Sequence, residues 1–136
     1  MRNGKHILLV EDDEIDRETT ARAFKDIKVP NRLDITTNGE EALSYLRTNA
    51  ATPCLILLDL NMPRMDGMEF LKVKNEDFSL KKIPVVVLTT SSEKKDISEA
   101  FLLGAAGYMV KPIDYLEFVK VIKGIDHYWT LSQLPD

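Results

Sequence analysis

Acidic, hydroxyl and ammonium side chains stand at the ends of four short apolar runs in this chain. Glu11 and Asp12 follow the first of these runs, Asp59 the second, Thr89 closes the third, and Lys111 follows the fourth. Carboxylates about 5 Å apart repel by roughly 3 kcal/mol at an effective dielectric of about 20, so a close group of them needs a cation or a proton. A few protein oxygens around a shared phosphate suit Mg²⁺. The residue types therefore predict phosphoryl transfer, with the carboxylate of Asp59 as the nucleophile that forms an acyl phosphate.

Each of these features has an ordinary structural alternative. The acids Glu11 and Asp12, with Asp13 after them, could cap a helix, because negative charge is favourable at a helix N-terminus. Asp59 could be a solvated strand end, and Thr89 a β-branched strand residue. Lys111, which precedes a proline, could belong to a turn. Only the joint placement of these residues at successive strand ends favours a shared site, in which Lys111 pairs with Asp59 when no phosphate is bound.

Apolar runs rich in branched residues alternate with segments of helical period. The predicted strands are His6–Val10, Leu33–Thr37, Cys54–Leu58, Val85–Thr89 and Tyr108–Val110. The predicted helices are Glu14–Ile27, Glu40–Arg47, Gly67–Lys74, Lys94–Leu103 and Asp114–Trp129. This alternation is typical of a parallel α/β sheet covered on both faces. Ligands of such sheets bind at the carboxyl ends of the strands, where the polar residues stand.

Helical spacing also predicts which side chains of each helix face the core. In the first helix the predicted inner face is Ile15, Thr19, Ala23 and Ile27. In the fourth helix it is Ile97, Ala100, Phe101 and Leu102.

Composition limits the class of protein. With 136 residues the chain is expected to form one domain, residues 1–136. A net charge of −4 disfavours nucleic-acid binding. The lone Cys54 precludes a disulfide within the chain and is expected to be a buried strand residue. No apolar stretch is long enough to span a bilayer, and residues 1–5 do not resemble a signal peptide. We therefore expect a soluble, cytoplasmic protein without a membrane partner.

The chain resembles the response-regulator receiver domain of two-component signalling, the CheY-like family. The matching residues are Glu11-Asp12, Asp59 within the segment 58–67 (LDLNMPRMDG), Thr89, and Tyr108 with Lys111-Pro112. The resemblance spans roughly residues 5–125. It implies a flavodoxin-like (βα)5 fold, in which a doubly wound, five-stranded parallel sheet has the strand order 2-1-3-4-5.

The resemblance also implies a role for each acidic residue. Asp59 is the expected phosphorylation site, and Asp12 and Asp59 are the expected side-chain ligands of Mg²⁺. Glu11 would act on the metal through water, as a longer variant of the aspartate often found there. Asn61 would contribute its backbone carbonyl. The same site would catalyse its own dephosphorylation.

The remaining residues of the motif are expected to sense the phosphate. Lys111 would bind a phosphate oxygen, and its peptide bond to Pro112 would be cis. Thr89 and Tyr108 would form the switch pair, the hydroxyl moving towards the phosphate as the ring rotates. Thr90 departs from the small residue often found after the switch threonine.

The C-terminal segment, about residues 114–136, is more apolar than one buried face requires. Apolar side chains of residues 115–129 cover an arc of roughly 180°, whereas a surface helix needs about 100°. Leu131 and Leu134 extend the pattern. Either the tail folds back on its own domain or it forms a second contact. A long final helix with a Trp-containing tail resembles the stand-alone regulators of phytochrome-type histidine kinases, which implies a homodimer through this region.

Three functions are compatible with such a site. The first is a switch that accepts phosphate from a histidine kinase or phosphotransfer protein. The second is a Mg²⁺-dependent phosphatase with an aspartyl nucleophile, but Asn61 replaces the acid that would protonate the leaving group. The third is a flavin-binding domain, which three acids after the first strand disfavour. We expect no output domain after residue 129, and the expected output is therefore a protein contact, a phosphorelay step or competition for the kinase.

Overall fold

The computed structural model describes residues 5–48 and 52–133. The five strands are β1 (Ile7–Val10), β2 (Leu33–Thr36), β3 (Leu55–Leu58), β4 (Val85–Thr89) and β5 (Gly107–Val110). The five helices are α1 (Glu14–Asp26), α2 (Gly39–Thr48), α3 (Gly67–Glu76), α4 (Lys94–Leu102) and α5 (Tyr115–Leu131). All strand pairs are parallel, and the order is β2-β1-β3-β4-β5. The predicted fold is confirmed, with boundaries shifted by one or two residues.

The sheet separates two apolar clusters because successive strand side chains point to opposite faces. Leu8 and Val10 of β1 belong to the cluster beneath α2, α3 and α4. Ile7 and Leu9 belong to the cluster beneath α1 and α5. Since both faces are covered, β1, β3 and β4 are buried throughout, which is why each appears in the sequence as an unbroken apolar run.

Aspartates fix the starts of the helices that border the carboxyl ends of the strands. Asp13 caps α1 by accepting from the backbone N–H of Asp16, at 3.0 Å. Asp66 and Asp114 cap α3 and α5 in the same way. An aspartate that accepts from a free N–H of the first turn satisfies a donor that the helix itself leaves unpaired. These caps hold the first turns of three helices at the edge where the polar residues stand.

Two of the predicted helix faces are partly wrong. Ala23 is buried as predicted, but Ile15 is 73% exposed, and Thr20 and Phe24 are buried beside Ala23. In α4 only Ala100 is buried, while Phe101 and Leu102 are exposed. Phe24 directly follows Ala23 of the predicted inner face. Because its ring supplies a larger apolar surface to the core than Ile15 would, the helix is rotated so that Phe24 faces inward.

Helix α5 packs on the sheet through only part of its apolar surface. Phe118, Ile122 and Ile125 are buried, and Trp129 packs beside them with its ring tip 4.0 Å from the position that a Cβ atom would take at Gly107. Leu116, Tyr128 and Leu131 are exposed on the same helix. The C-terminal segment therefore returns to its own domain at Trp129 and leaves other apolar side chains uncovered. Leu134 lies outside the described residues.

The helices of residues 5–48 and 52–133 include none with the length and apolar character needed to cross a membrane.

Candidate functional site

The register of β1 and β3 brings two of the predicted acids side by side. Val10 pairs with Leu58, so the residues that follow them, Glu11 and Asp59, are neighbours at the carboxyl edge of the sheet. The backbone N–H of Asp59 donates to the carbonyl of Val10 at 3.0 Å, which extends the ladder by one residue. Asp12 follows in the β1–α1 loop, and one carboxylate oxygen from each of Glu11, Asp12 and Asp59 lies within 4.8 Å of the other two.

Burial makes this group of acids unusual. Glu11 and Asp59 are buried, whereas Asp12 is exposed. Burial raises the pKa of Glu11 to about 7, although the hydrogen bond from Lys111 and its charge lower it and Asp59 raises it further. Desolvation disfavours a carboxylate, and a neighbouring negative charge adds to that cost. The site therefore concentrates negative charge where water has little access, and it is suited to bind a cation.

Lys111 reaches the site from the end of β5, but its partners differ from the prediction. Its backbone N–H donates to the carbonyl of Thr89 at 2.7 Å. Its Nζ donates to Oε1 of Glu11 and, at 3.2 Å, to Oδ2 of Asp16, so the predicted hydrogen-bonded pair with Asp59 is wrong for this structure. Glu11 accepts the hydrogen bond from this ammonium group. Its carboxylate is almost completely buried, so the ammonium group replaces the water that would otherwise solvate it.

The charges around Lys111 outweigh the cost of burying it. Burial alone would lower the pKa of Lys111, but the hydrogen bond and charge of Glu11, together with the charges of Asp59 and Asp16, raise it above its ordinary value. The ammonium form is thus held in the site by the charges of Glu11, Asp59 and Asp16.

The predicted cis bond between Lys111 and Pro112 is also wrong. No peptide bond among residues 5–48 and 52–133 is cis. The trans form is the lower-energy isomer of an X–Pro bond, and the short β5–α5 connection accommodates it.

Thr89 is the last residue of β4, as the sequence predicts, and Tyr108 is the second residue of the neighbouring strand β5. Thr89 is fully buried, and its Oγ1 has no hydrogen-bond partner within the described part of the chain. Tyr108 is half-buried and packs on the cluster beneath α2, α3 and α4. Its hydroxyl donates to the carbonyl of Ser91 at 2.9 Å. Burial raises the pKa of Tyr108, which keeps the phenol protonated and able to donate.

The β3–α3 loop carries Asn61 past the acids in a constrained path. Asn61 is exposed two residues after Asp59. A Cβ atom on Gly67 would lie 2.7 Å from Cα of Leu60, so only glycine allows the loop to close on itself there. Arg64 has a positive φ of 63°, which costs a non-glycine residue some strain.

Two residues of α1 that the sequence interpretation missed support the site. Asp16 is the second acceptor for Lys111. Arg17 donates through Nη1 to the carbonyls of Asp12, at 2.6 Å, and Glu11, at 3.3 Å. The sequence could have indicated this role through the position of the two residues, because both lie in the first turn of the helix that follows the acids. Side chains of such a turn can fold back over the preceding loop.

The chain matches one known protein family over most of its length. The family model described as the response regulator receiver domain matches residues 7–123. The chain belongs to this family.

Several receiver-domain proteins resemble the chain over nearly its whole length. The response regulator Rcp1 of Synechocystis sp. is 36% identical over 130 residues, covering 92% of this chain and 88% of Rcp1. The probable methanogenesis regulatory protein FilR2 of Methanothrix harundinacea is 35% identical over 127 residues, covering 90% of this chain and 82% of FilR2.

Solved receiver-domain structures agree with the fold. The phosphorylated cyanobacterial phytochrome response regulator RcpA superposes with a TM-score of 0.91 at 38% identity, covering 98% of this chain and 100% of RcpA. The Mn²⁺-bound form of Rcp1 gives 0.87 at 35% identity, covering 97% and 99%. The chain is therefore a CheY-like receiver domain of two-component signalling.

Proposed function

We propose that Asp59 accepts a phosphoryl group from a sensor histidine kinase or a phosphotransfer protein. The observation that carries this proposal is the group of three carboxylates within 4.8 Å, faced by the ammonium of Lys111. One oxygen of Asp59 forms a bond to phosphorus as the phosphorus–nitrogen bond of a phosphohistidine breaks. The electron pair of the broken bond returns to the imidazole nitrogen, so no external reductant or oxidant is needed.

The donor set fits Mg²⁺. Glu11, Asp12 and Asp59 offer hard carboxylate oxygens, and Asn61 offers a backbone carbonyl nearby in sequence. The similar protein Rcp1 has been solved with Mn²⁺ bound. When bound, a divalent cation offsets the charge of the acids and of the phosphoryl oxygens. Lys111 would offset the remaining charge by donating to a phosphoryl oxygen, and the same arrangement would serve self-catalysed loss of the phosphate.

Thr89 and Tyr108 are proposed to convert phosphorylation into a change of shape. Among the described residues, no acceptor pairs with the buried hydroxyl of Thr89, and burying such a group without a partner is costly. A phosphoryl oxygen on Asp59 would supply that acceptor. Tyr108 would then rotate and exchange its bond to the carbonyl of Ser91 for another partner, which alters the surface beside α4 and β5.

The phosphotransfer proposal is tested by intact mass after incubation with acetyl phosphate. We expect the mass of one phosphoryl group to be gained with Mg²⁺ and not after chelation. Asp59→Asn should gain nothing, while Asp66→Asn, which changes an aspartate of the same loop region outside the site, should be labelled normally. Labelling of Asp59→Asn to the wild-type level would refute the proposal.

We further propose that the kinase is phytochrome-type, that the protein works in the cytoplasm, and that it forms a homodimer through α5. The support for the dimer is the exposed apolar surface of that helix, where Tyr128 is 59% and Leu131 is 66% exposed. The similarity to RcpA, a phytochrome response regulator, supports the partner. In the proposed dimer, a second copy of the chain covers this face of α5.

The dimer is tested by light scattering during size exclusion. We expect the wild type to elute as a dimer and Tyr128→Lys combined with Leu131→Lys as a monomer, because two charges would have to be desolvated in the interface. Ile15→Lys, at an equally exposed apolar position on α1, is the matched control and should remain dimeric. A monomeric wild type, with or without phosphorylation, would contradict the proposal.

A further inference from the structure

Lys111 binds two acids, one inside the group of three carboxylates and one outside it. Its Nζ donates to Glu11, which belongs to the group of three carboxylates, and to Asp16, which lies outside that group on α1. The side chain of Lys111 is 8% exposed, whereas that of Asp16 is 41% exposed. Asp59 acts on Lys111 only through its charge. The ammonium of Lys111 is therefore engaged by residues other than the proposed phosphate acceptor.

A divalent cation would affect these two acids differently. Its charge would offset Glu11 together with Asp12 and Asp59, since their oxygens lie within 4.8 Å of one another. Asp16 would keep its full charge because it is not a member of the group. In the cation-loaded protein Asp16 would thus be the main remaining competitor for Lys111.

We propose that Asp16 is a resting-state acceptor for Lys111 that lowers the affinity of the site for phosphoryl anions. This inference rests on the proposed function. Asp16 lowers this affinity in two ways. It occupies an N–H donor of Lys111 that the phosphoryl oxygens would otherwise use, and it places a further negative charge near a dianionic group. Asp16 is a positioning residue, since it contacts Lys111 and not the reacting atoms.

Such a residue would set how readily the protein is phosphorylated without altering the nucleophile. Asp16 forms one wall of a groove of about 410 Å³ between α1 and the start of α5, which Lys111 and Arg22 also line. The acid that competes for Lys111 is therefore accessible from the surface, while Lys111 itself is buried.

The test is the affinity of the full chain for beryllofluoride, a phosphoryl mimic, measured by calorimetry with saturating Mg²⁺. We expect Asp16→Asn to bind it roughly three- to fivefold more tightly than the wild type, the range that a partly exposed ion pair corresponds to. Asp16→Glu, which keeps the charge and reach, should restore the wild-type affinity. Glu14→Gln, at an exposed position in the same turn, removes an equal charge and should change the affinity less than twofold.

The outcomes separate the two proposals. An unchanged or weaker affinity of Asp16→Asn would overturn the role of Asp16, as would an equal gain in Glu14→Gln, which would reveal a general charge effect. An equal gain in the affinity for Mg²⁺ alone would also overturn it, because the effect would then not pass through Lys111 and the phosphoryl mimic. A wild type that binds no beryllofluoride would instead refute the phosphotransfer function itself.

Discussion

Lys111→Met is expected to lower the free energy of unfolding by about 3 kcal/mol at pH 9, because it leaves the buried carboxylate of Glu11 without its counter-charge. Within residues 5–48 and 52–133, the Nζ of Lys111 is the only side-chain donor to the carboxylate of Glu11. Methionine fills a similar volume but cannot donate. The loss is measured by urea denaturation without divalent cations.

The loss should depend on pH in a defined direction. The pKa of Glu11 is already raised to about 7 in the folded protein, and without Lys111 it should rise further. A carboxyl whose folded pKa exceeds its unfolded value of about 4.3 binds more protons when folded, so its contribution to stability falls as pH rises through the folded pKa. At pH 6 the carboxyl of Glu11 is protonated and neutral, and Lys111→Met should then lose much less stability than at pH 9.

Two variants control for other causes. Lys111→Met combined with Glu11→Gln removes the unpaired charge and should regain most of the stability at pH 9. Lys120→Met removes a lysine whose pair with Glu117 is largely exposed, and it should change stability by less than about 1 kcal/mol. A loss that is equal at pH 6 and pH 9 would show that packing, and not the charge of Glu11, is responsible.

Gly67→Ala is expected to destabilise the protein by about 2 to 4 kcal/mol and to slow phosphorylation of Asp59, because the added methyl group cannot be accommodated without moving backbone. The new Cβ would lie 2.7 Å from Cα of Leu60 and 3.0 Å from its Cδ2, and closer still to the carbonyl oxygen of Asp59. The obstacle is mainly the main chain of Leu60 and of the proposed phosphate acceptor Asp59, so relief requires the backbone of this loop to shift. Urea denaturation and the rate of labelling by acetyl phosphate measure the two effects.

Gly124→Ala is the matched control for this prediction. Apart from its chain neighbours and the nearby backbone of α5, no atom of the described residues lies within 4 Å of the corresponding Cβ position, which is on the exposed side of α5. Alanine in a helix interior should stabilise the protein by about 0.5 to 1 kcal/mol and leave labelling unchanged. A Gly67→Ala variant as stable as the wild type would mean that the β3–α3 loop has room that the structure does not show.

Strand register explains why the sequence predicted the position of the site so well. The buried strands appear as unbroken apolar runs, and a polar residue after such a run must lie at the carboxyl edge of a parallel sheet. Glu11, Asp59 and Lys111 could therefore be placed together before any coordinates were known. The roles of these residues remain predictions until phosphorylation is measured.

Side-chain choices among near neighbours could not be predicted in the same way. Lys111 was expected to bind Asp59, yet it donates to the buried Glu11 and to the partly exposed Asp16, because the long, flexible stem of lysine brings several carboxylates within reach. The phase of α1 was likewise misjudged by one residue. Thr20 and Phe24 face the core where Ile15 was expected, since helical spacing alone does not weigh the size of the competing side chains.

The position of Trp129 beside Gly107 gives the protein an optical reporter of movements in β5. Trp129 is the only tryptophan in the sequence, and its ring lies near Gly107 on the face of the sheet covered by α1 and α5, opposite the face on which Tyr108 packs. A displacement of β5 that accompanied the proposed rotation of Tyr108 would change the surroundings of the fluorophore. Emission from the unmodified chain could therefore follow the proposed switch in real time, without any added dye.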